Sequence, residues 1–249
     1  MEHREKDNNF IFGMRPVMEA IEAGKDIDKI LIRRGLSGDL FNELYAAIKQ
    51  YELNYQLVPE EKLNNITRKN HQGIIAFISP VPLQRIEDII PSLFEKGVTP
   101  FILALDSITD VRNLGSIARS AECAGVHAIL LPEKGSAQLN ADAMKTSAGA
   151  LHHIAICRTP KFKASLQFLQ QSGIKLVAAT EKAVVLYHKT DYSVPVCIIM
   201  GSEDTGIDAD TLRISDELVK IPILGKISSL NVANAASVLM YEVVKQRME

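Results

Sequence analysis

Residues 227–238, ISSLNVANAASV, lie near the end of the chain, and how they are read decides the fold. The stretch is expected to open the last helix, with Ser228 or Ser229 as its N-cap, since a hydroxyl there can accept from a free amide of the first turn. A cap accounts for one serine but not for Asn231, an amide followed by Ala233, Ala235 and Ala236. A helix of such small residues lets another backbone come close, and an amide buried in that contact must be paired. The stretch therefore predicts a terminal helix packed tightly on its neighbours, with Ser229 and Asn231 serving something other than packing. Asn234 has no such reading.

Working back from that helix, the segments from Pro100 onward alternate. FILALD, HAILLP, IAICR, KLVAAT, VCIIMG and LVKIPI read as strands, and NLGSIARSAECAG, LNADAMKTSAGALHH and ASLQFLQQSG as loop-and-helix pieces. Alternation of this kind implies a mostly parallel α/β sheet covered on both faces, with ligands at the strand C-termini. Residues 10–80 form a separate small α/β module. GMRPVMEAIEAG is a short helix with Pro16 in its first turn and Gly24 past its end; KILIRR, YQLVP and IIAFI are β-like, and DLFNELYAAIKQY is helical. Between the modules, the three prolines of VPLQRIEDIIPSLFEKGVTP suggest a linker over 81–99 that carries one helix. The charged residues 1–9 read as a disordered tail rather than a signal peptide.

Composition bounds the function. A net charge of −2 makes no global case for nucleic acid, so any RNA surface must be a local patch. Such patches occur at Arg33 and Arg34 and at Arg68 and Lys69 in ITRKNHQG, where an ordinary solvated loop is the competing reading. Cys123, Cys157 and Cys197 lack metal-ligand spacing and sit in apolar runs, as buried reduced thiols of a cytoplasmic protein do. No apolar run approaches the ~20 residues of a membrane span, so neither a membrane nor a metal is expected.

Three segments of the second half carry candidate chemistry. In LDSITDVRNLGSIARSAECAG, Asn113 and Gly115 fall in the turn after a strand and Arg119 on the helix that follows, at about 600° of rotation from Asn113. A guanidinium at such a loop mouth suits a phosphate or carboxylate. In IIMGSEDTGI, Gly201 and Gly206 bracket a polar loop whose Glu203 would spoil a phosphate cradle. VKIPILGKI and the opening stretch make the third. His127, His152 and His153 have no partner at useful spacing and read as structural or surface residues.

In this order and at these separations, the segments resemble the three motifs of the SpoU (TrmH-like) branch of the SPOUT RNA methyltransferases. Asn113, Leu114, Gly115 and Arg119 fit the first motif, Gly201, Glu203 and Gly206 the second, and Ile221, Pro222, Ser229, Leu230, Asn231 and Val232 the third. GMRPVMEAI, KILI and HQGIIAF look like the L30e-like substrate-binding domain that precedes the catalytic domain in this family. The departures are Val111, where a proline is frequent, and Asn234, where a small or apolar residue is usual.

The resemblance implies a C-terminal trefoil knot around S-adenosylmethionine, held by the loops at Ala179 and Thr180, Met200 and Gly201, Ile221, and Leu230. It also implies a homodimer with its active site near the subunit interface. The implied reaction is methylation of a ribose 2′-hydroxyl, releasing S-adenosylhomocysteine. Within the family the nearest similarity is to enzymes acting on a guanosine in the peptidyl-transferase loop of 23S rRNA, with a tRNA loop as the nearest alternative. Asn113, Arg119, Glu203, Ser229 and Asn231 are the implied catalytic residues, and Arg33, Arg34, Arg68 and Lys69 the RNA contacts. A guanidinium keeps its proton at neutral pH, so Arg119 is expected to grip phosphate and stabilise the alkoxide rather than act as base. Glu203 would orient Arg119 or Asn113. A merely RNA-binding protein would tolerate erosion of Arg119, Glu203 or Asn231, and all three are present; a nucleotide-dependent oxidoreductase would want a glycine fingerprint that is missing.

Overall fold

A computed structural model of the chain describes residues 10–248. The tail expected at 1–9 lies outside them. The chain divides into two compact units, the first running to Val81 and taking in Leu139–Ala141, the second formed by Pro82–Gln138 and the residues from Asp142 onward.

The first unit runs β1 (Phe10–Phe12), α1 (Met14–Glu22), β2 (Ile27–Arg33), α2 (Asp39–Gln50), β3 (Tyr55–Val58), α3 (Glu60–Asn64) and β4 (Ile74–Ile78). Its sheet order is β1-β4-β2-β3, with β4 antiparallel to both neighbours and β3 parallel to β2. Alternation along β2 sends Ile30 and Ile32 to a core with Val17, Ile21, Leu44 and Ile48, and Leu31 to a second core with Val58, Leu63 and Ile75. One face is thus covered by α1 and α2, and the other receives Leu63 of α3. β1 and α3 are too short for periodicity to announce them.

The second unit contains β5 (Leu83–Gln84), α4 (Ile86–Glu95), β6 (Phe101–Asp106), α5 (Val111–Cys123), β7 (Ala128–Pro132), α6 (Ala141–Thr146), β8 (Ala155–Thr159), α7 (Phe162–Gln171), β9 (Lys175–Ala179), β10 (Val185–Leu186), β11 (Val196–Gly201), α8 (Ala209–Ile214), β12 (Glu217–Lys220) and α9 (Val232–Met248). The sheet order is β10-β12-β9-β11-β6-β7-β8-β5, and every adjacent pair is parallel. β6 is buried along its whole length, as a strand covered on both faces must be. On one face Ile86, Ile90, Leu166 and Leu169 pack over the sheet. α5 and α9 pack on one another, and the Ser237 hydroxyl donates to Ser120 Oγ at 2.9 Å.

The linker expected at 81–99 is corrected here. Leu83–Gln84 pairs with β8 as the edge strand, and α4 buries Ile86 and Ile90 in the core, so most of that segment belongs to the second unit. Cys123 is also corrected. It lies exposed at the end of α5, whereas Cys157 and Cys197 are buried, and desolvation pushes the Cys157 thiol up to about 12. No helix among the described residues is long and apolar enough to cross a membrane.

Candidate active site

Parallel register brings the working ends of the strands to one edge. Gly201 pairs with Asp106, Ile199 with Ala178, and Ala179 with Val219. Ala179 and Thr180, Met200 and Gly201, and Ile221 therefore stand at the C-terminal ends of three adjacent strands, β9, β11 and β12. The Thr180 amide bonds the Val219 carbonyl at 2.9 Å.

α5 begins earlier than its sequence suggests. Asp110 caps it, its Oδ1 accepting from the amides of Arg112 at 2.7 Å and Asn113 at 2.9 Å. Asn113 and Gly115 are thus inside the helix rather than in the preceding turn. Val111 is the first helical residue, a position where proline is also well accommodated, so its departure from the family pattern leaves the cap intact. Gly115 is required by packing, because a Cβ there would stand 2.7 Å from Thr146 Cβ and 2.9 Å from the Ala143 carbonyl oxygen.

The second motif is a loop folded back on its own strand. Ser202 and Gly206 form an isolated antiparallel bridge, the Gly206 amide bonds the Ser202 carbonyl at 3.0 Å, and Gly206 has φ +70°. The fold-back presses the loop onto Gly201, where a Cβ would meet Gly206 C at 2.2 Å and Ile207 N at 2.3 Å. Its far end is tied by Asp106, only 6 % exposed, which accepts from the Asp208 amide at 2.9 Å and the Ser107 hydroxyl at 3.0 Å.

This loop aims Glu203 at the start of α9. The stretch 221–231 is not helical, and α9 begins at Val232, so neither Ser228 nor Ser229 is its N-cap. Asn231 takes that role, its Oδ1 accepting from the Ala233 amide at 3.0 Å. Its Nδ2 donates to Glu203 Oε1 at 2.6 Å and to Asn113 Oδ1 at 3.1 Å. Glu203 Oε1 also accepts from the Val232 amide at 3.0 Å and from Asn113 Nδ2 at 3.4 Å. Three donors from two distant segments thus converge on one carboxylate oxygen of a third. Asn231 is exposed rather than buried, yet it is paired as a buried amide would be. The small-residue reading of α9 holds for Ala233 and Ala236, which are buried.

Arg119 and Ser229 stand outside this junction. Arg119 is exposed on α5, about 9 Å along the axis from Asn113, and forms no hydrogen bond or ion pair among the described residues. Glu203 therefore orients Asn113 and not Arg119. Ser229 and Leu230 lie in an exposed loop that also carries Ile223, Leu224 and Ile227, exposed by 40 %, 97 % and 76 %. So many exposed apolar side chains on one short loop mark a surface made to be covered. Asn234 is exposed in the first turn of α9.

In the first unit, Arg33, Arg68 and Lys69 line a cleft of about 570 Å³ together with Asn64, His71 and Gln72. Arg34 is not part of its lining. His127 is structural, its Nδ1 accepting from the Phe101 amide at 3.0 Å. Sequence reasoning missed Asp106, Asp110, Asn64 and Gln72. For the two aspartates a signal existed, since a carboxylate ending an apolar strand and another three residues before a helical Asn are ordinary anchoring positions. For the amides there was none.

Residues 100–241 match the family model described as the SpoU rRNA methylase family, and residues 10–84 match the one described as RNA 2′-O ribose methyltransferase substrate binding. The chain is 34 % identical to the 23S rRNA (guanosine-2′-O-)-methyltransferase RlmB of Photorhabdus laumondii, over 96 % of this chain and 99 % of that one. Among solved structures it resembles the SpoU methyltransferase AviRb from Streptomyces viridochromogenes in complex with its cofactor AdoMet. The TM-score is 0.60 at 25 % identity, covering 96 % of this chain and 90 % of that chain. An RNA 2′-O ribose methyltransferase structure matches with a TM-score of 0.58 at 26 % identity, over 100 % of this chain and 93 % of that chain.

Proposed function

The chain belongs to the SpoU rRNA methylase family, and from that premise we propose that it methylates the 2′-hydroxyl of a guanosine in 23S ribosomal RNA with S-adenosylmethionine. The observation that carries the chemistry is the convergence of Asn113, Asn231 and the Val232 amide on one carboxylate oxygen of Glu203, beside the C-terminal edge of the parallel sheet. The choice of RNA rests on the similarity to RlmB, which runs through both units.

The residues present fit the cofactor. Backbone groups at Ala179, Thr180, Met200, Gly201, Ile221 and Leu230 would hold it, and the exposed apolar loop would cover it. The carboxylate of Glu203 excludes a nucleotide phosphate from the same place. When bound, the cofactor supplies an electrophilic methyl group on a sulfonium. The chain's own part is orientation: reacting atoms must be held at about 3–3.5 Å, in line. Glu203 fixes both carboxamides, and Asn113 then positions the ribose. Arg119, without an ion-pair or hydrogen-bond partner among the described residues, grips the adjacent phosphate and stabilises the developing alkoxide, with the proton passing to water. Ser229 supports the reacting hydroxyl. The C-terminal segment threads a trefoil knot, the active form is a cytoplasmic homodimer with the site near its interface, and the first unit grips folded RNA.

Mapping 2′-O-methyl marks in the ribosomal and transfer RNA of a strain lacking the protein tests this reading. Loss of one guanosine mark in 23S rRNA is the expected result. Loss confined to tRNA would overturn the target and leave the chemistry, and an unchanged map would overturn both.

A further inference from the structure

The cleft of the first unit has a hydrogen-bonding polarity that can be worked out from its backbone. The Gly73 amide can only donate, and it donates to His71 Nδ1 at 3.0 Å. The proton of this imidazole, 6 % exposed, must then be on Nε2, which lies 3.0 Å from Asn64 Oδ1. Asn64 is thereby left with its NH₂ group to offer. The Met14 amide likewise donates to Gln72 Oε1 at 3.0 Å, which leaves Gln72 with its NH₂ group. Gln72 is held in place by its own positive φ of 51° and by Gly73 at φ 79°, where a Cβ would meet Leu36 Cδ1 at 3.0 Å. Arg33 is already bound to Glu60 at 3.3 Å. The Arg68 and Lys69 side chains have no hydrogen-bond or ion-pair partner among the described residues.

The lining thus offers two free cations and two oriented amide donors around a space of about 570 Å³, a volume typical of small-ligand sites. A flat basic patch would serve duplex phosphates, whereas a concave wall of fixed donors suits one unstacked nucleotide. Among the bases, guanine alone presents two adjacent acceptors, O6 and N7, on one edge. Adenine puts a donor beside N7 and cytosine presents a donor.

We propose that this cleft takes one unpaired guanosine nucleotide of the substrate RNA, its phosphate on Arg68 and Lys69 and its O6/N7 edge on the amides of Asn64 and Gln72. The proposal rests on RNA being the substrate. The test uses the full ¹⁵N-labelled chain saturated with S-adenosylhomocysteine, so that nucleotides are kept from the cofactor site. It is titrated with GMP, AMP and 7-deaza-GMP while the side-chain amides of Asn64 and Gln72 are followed by NMR. GMP is expected to bind roughly tenfold more tightly than AMP, and 7-deaza-GMP to lose most of that advantage. Replacing Arg68 and Lys69 by alanine should weaken GMP and AMP alike. Gln72→Glu and Asn64→Asp each keep the acceptor used by the internal donor while removing the NH₂ group, and each should reduce the preference for GMP without unfolding the unit. Equal affinities for GMP and AMP, or a preference that survives both substitutions, would overturn the proposal. Methyl transfer to ribosomal RNA measured on the same preparation separates the two readings: transfer without guanine preference sinks only the cleft, and absence of transfer sinks the proposed function.

Discussion

Gly201→Ala should disable the enzyme without removing any side-chain group that would contact cofactor or RNA. Its added Cβ would meet Gly206 C at 2.2 Å, Ile207 N at 2.3 Å and the Gly206 carbonyl oxygen at 2.5 Å. All three are backbone atoms, so no rotamer change relieves the clash. Reaching ordinary contact at 3.4 Å requires the loop to retreat by about 1.2 Å. That loop carries Glu203, whose 2.6 Å bond to Asn231 and 3.0 Å bond to the Val232 amide would be stretched beyond hydrogen-bonding distance. Overpacking of this kind costs about 1–3 kcal/mol, or roughly 2–12 °C in Tm for a chain of this size. A misplacement of about 1 Å in positioning groups costs on the order of 100-fold in rate. Differential scanning fluorimetry and transfer of labelled methyl to ribosomal RNA measure the two effects. Gly225→Ala is the stability control, since a Cβ there meets nothing within 4 Å. A Gly201→Ala protein that melted and turned over like the parent would refute the claim that loop closure over Gly201 sets the position of Glu203.

Arg119→Ala should abolish methyl transfer while leaving S-adenosylmethionine binding by calorimetry near the parent value. A rate profile flat through neutral pH would agree with a cation that never gives up its proton. Replacing Arg68 and Lys69 by alanine should weaken RNA binding at low salt and make the slope of log K against log salt shallower by roughly 1.4–1.8, as expected when two cations in phosphate contact are lost. The Cys157 thiol is raised from its ordinary 9.0 to about 12 by burial, and Cys197 is raised further by the same cause. The unfolded chain therefore deprotonates first. The stability these thiols contribute is whole below about pH 9 and is lost as pH rises through the folded values. Thermal melts at pH 8 and pH 10.5 should differ accordingly, and Cys157→Val should narrow the difference.

What the sequence revealed and what it concealed follow from the range of the forces involved. β6, β7 and β11 are continuous apolar runs because a parallel strand is covered on both faces, so the α/β class was legible from pattern alone. Helix starts were less legible. Ser228, Ser229 and Asn231 are all good caps by type, and the choice among them was made by Glu203, 28 residues away, which takes both Asn231 Nδ2 and the Val232 amide. The error over 81–99 has the opposite cause. Prolines suggested a linker, but Pro91 sits inside α4, whose buried Ile86 and Ile90 hold it to the sheet. Cys123 read as buried because apolar neighbours surround it in sequence; on α5 it falls on the exposed side, while Leu114, Ile117, Ala118 and Ala121 take the buried one.

The acidic residue in GSEDTG, taken at first only as a reason to reject a phosphate cradle, has a positive role. The start of a long helix collects unpaired amides and the positive end of the helix dipole, and it would ordinarily attract an anion from solution. Here Glu203 supplies that anion from within the chain, accepting from the Val232 amide while Asn231 satisfies Ala233. A phosphate-bearing nucleotide finds the place electrostatically taken. A ligand with a sulfonium centre meets no such obstacle, and the carboxylate that excludes phosphate is the one that fixes Asn113 and Asn231. Glu203→Gln separates these effects: a carboxamide oxygen can still accept from Val232, so the fold should survive, but the charge that opposes phosphate is gone. Inhibition of methyl transfer by inorganic phosphate or ATP should then be stronger than in the parent. Unchanged inhibition would mean that exclusion rests on shape and not on this charge.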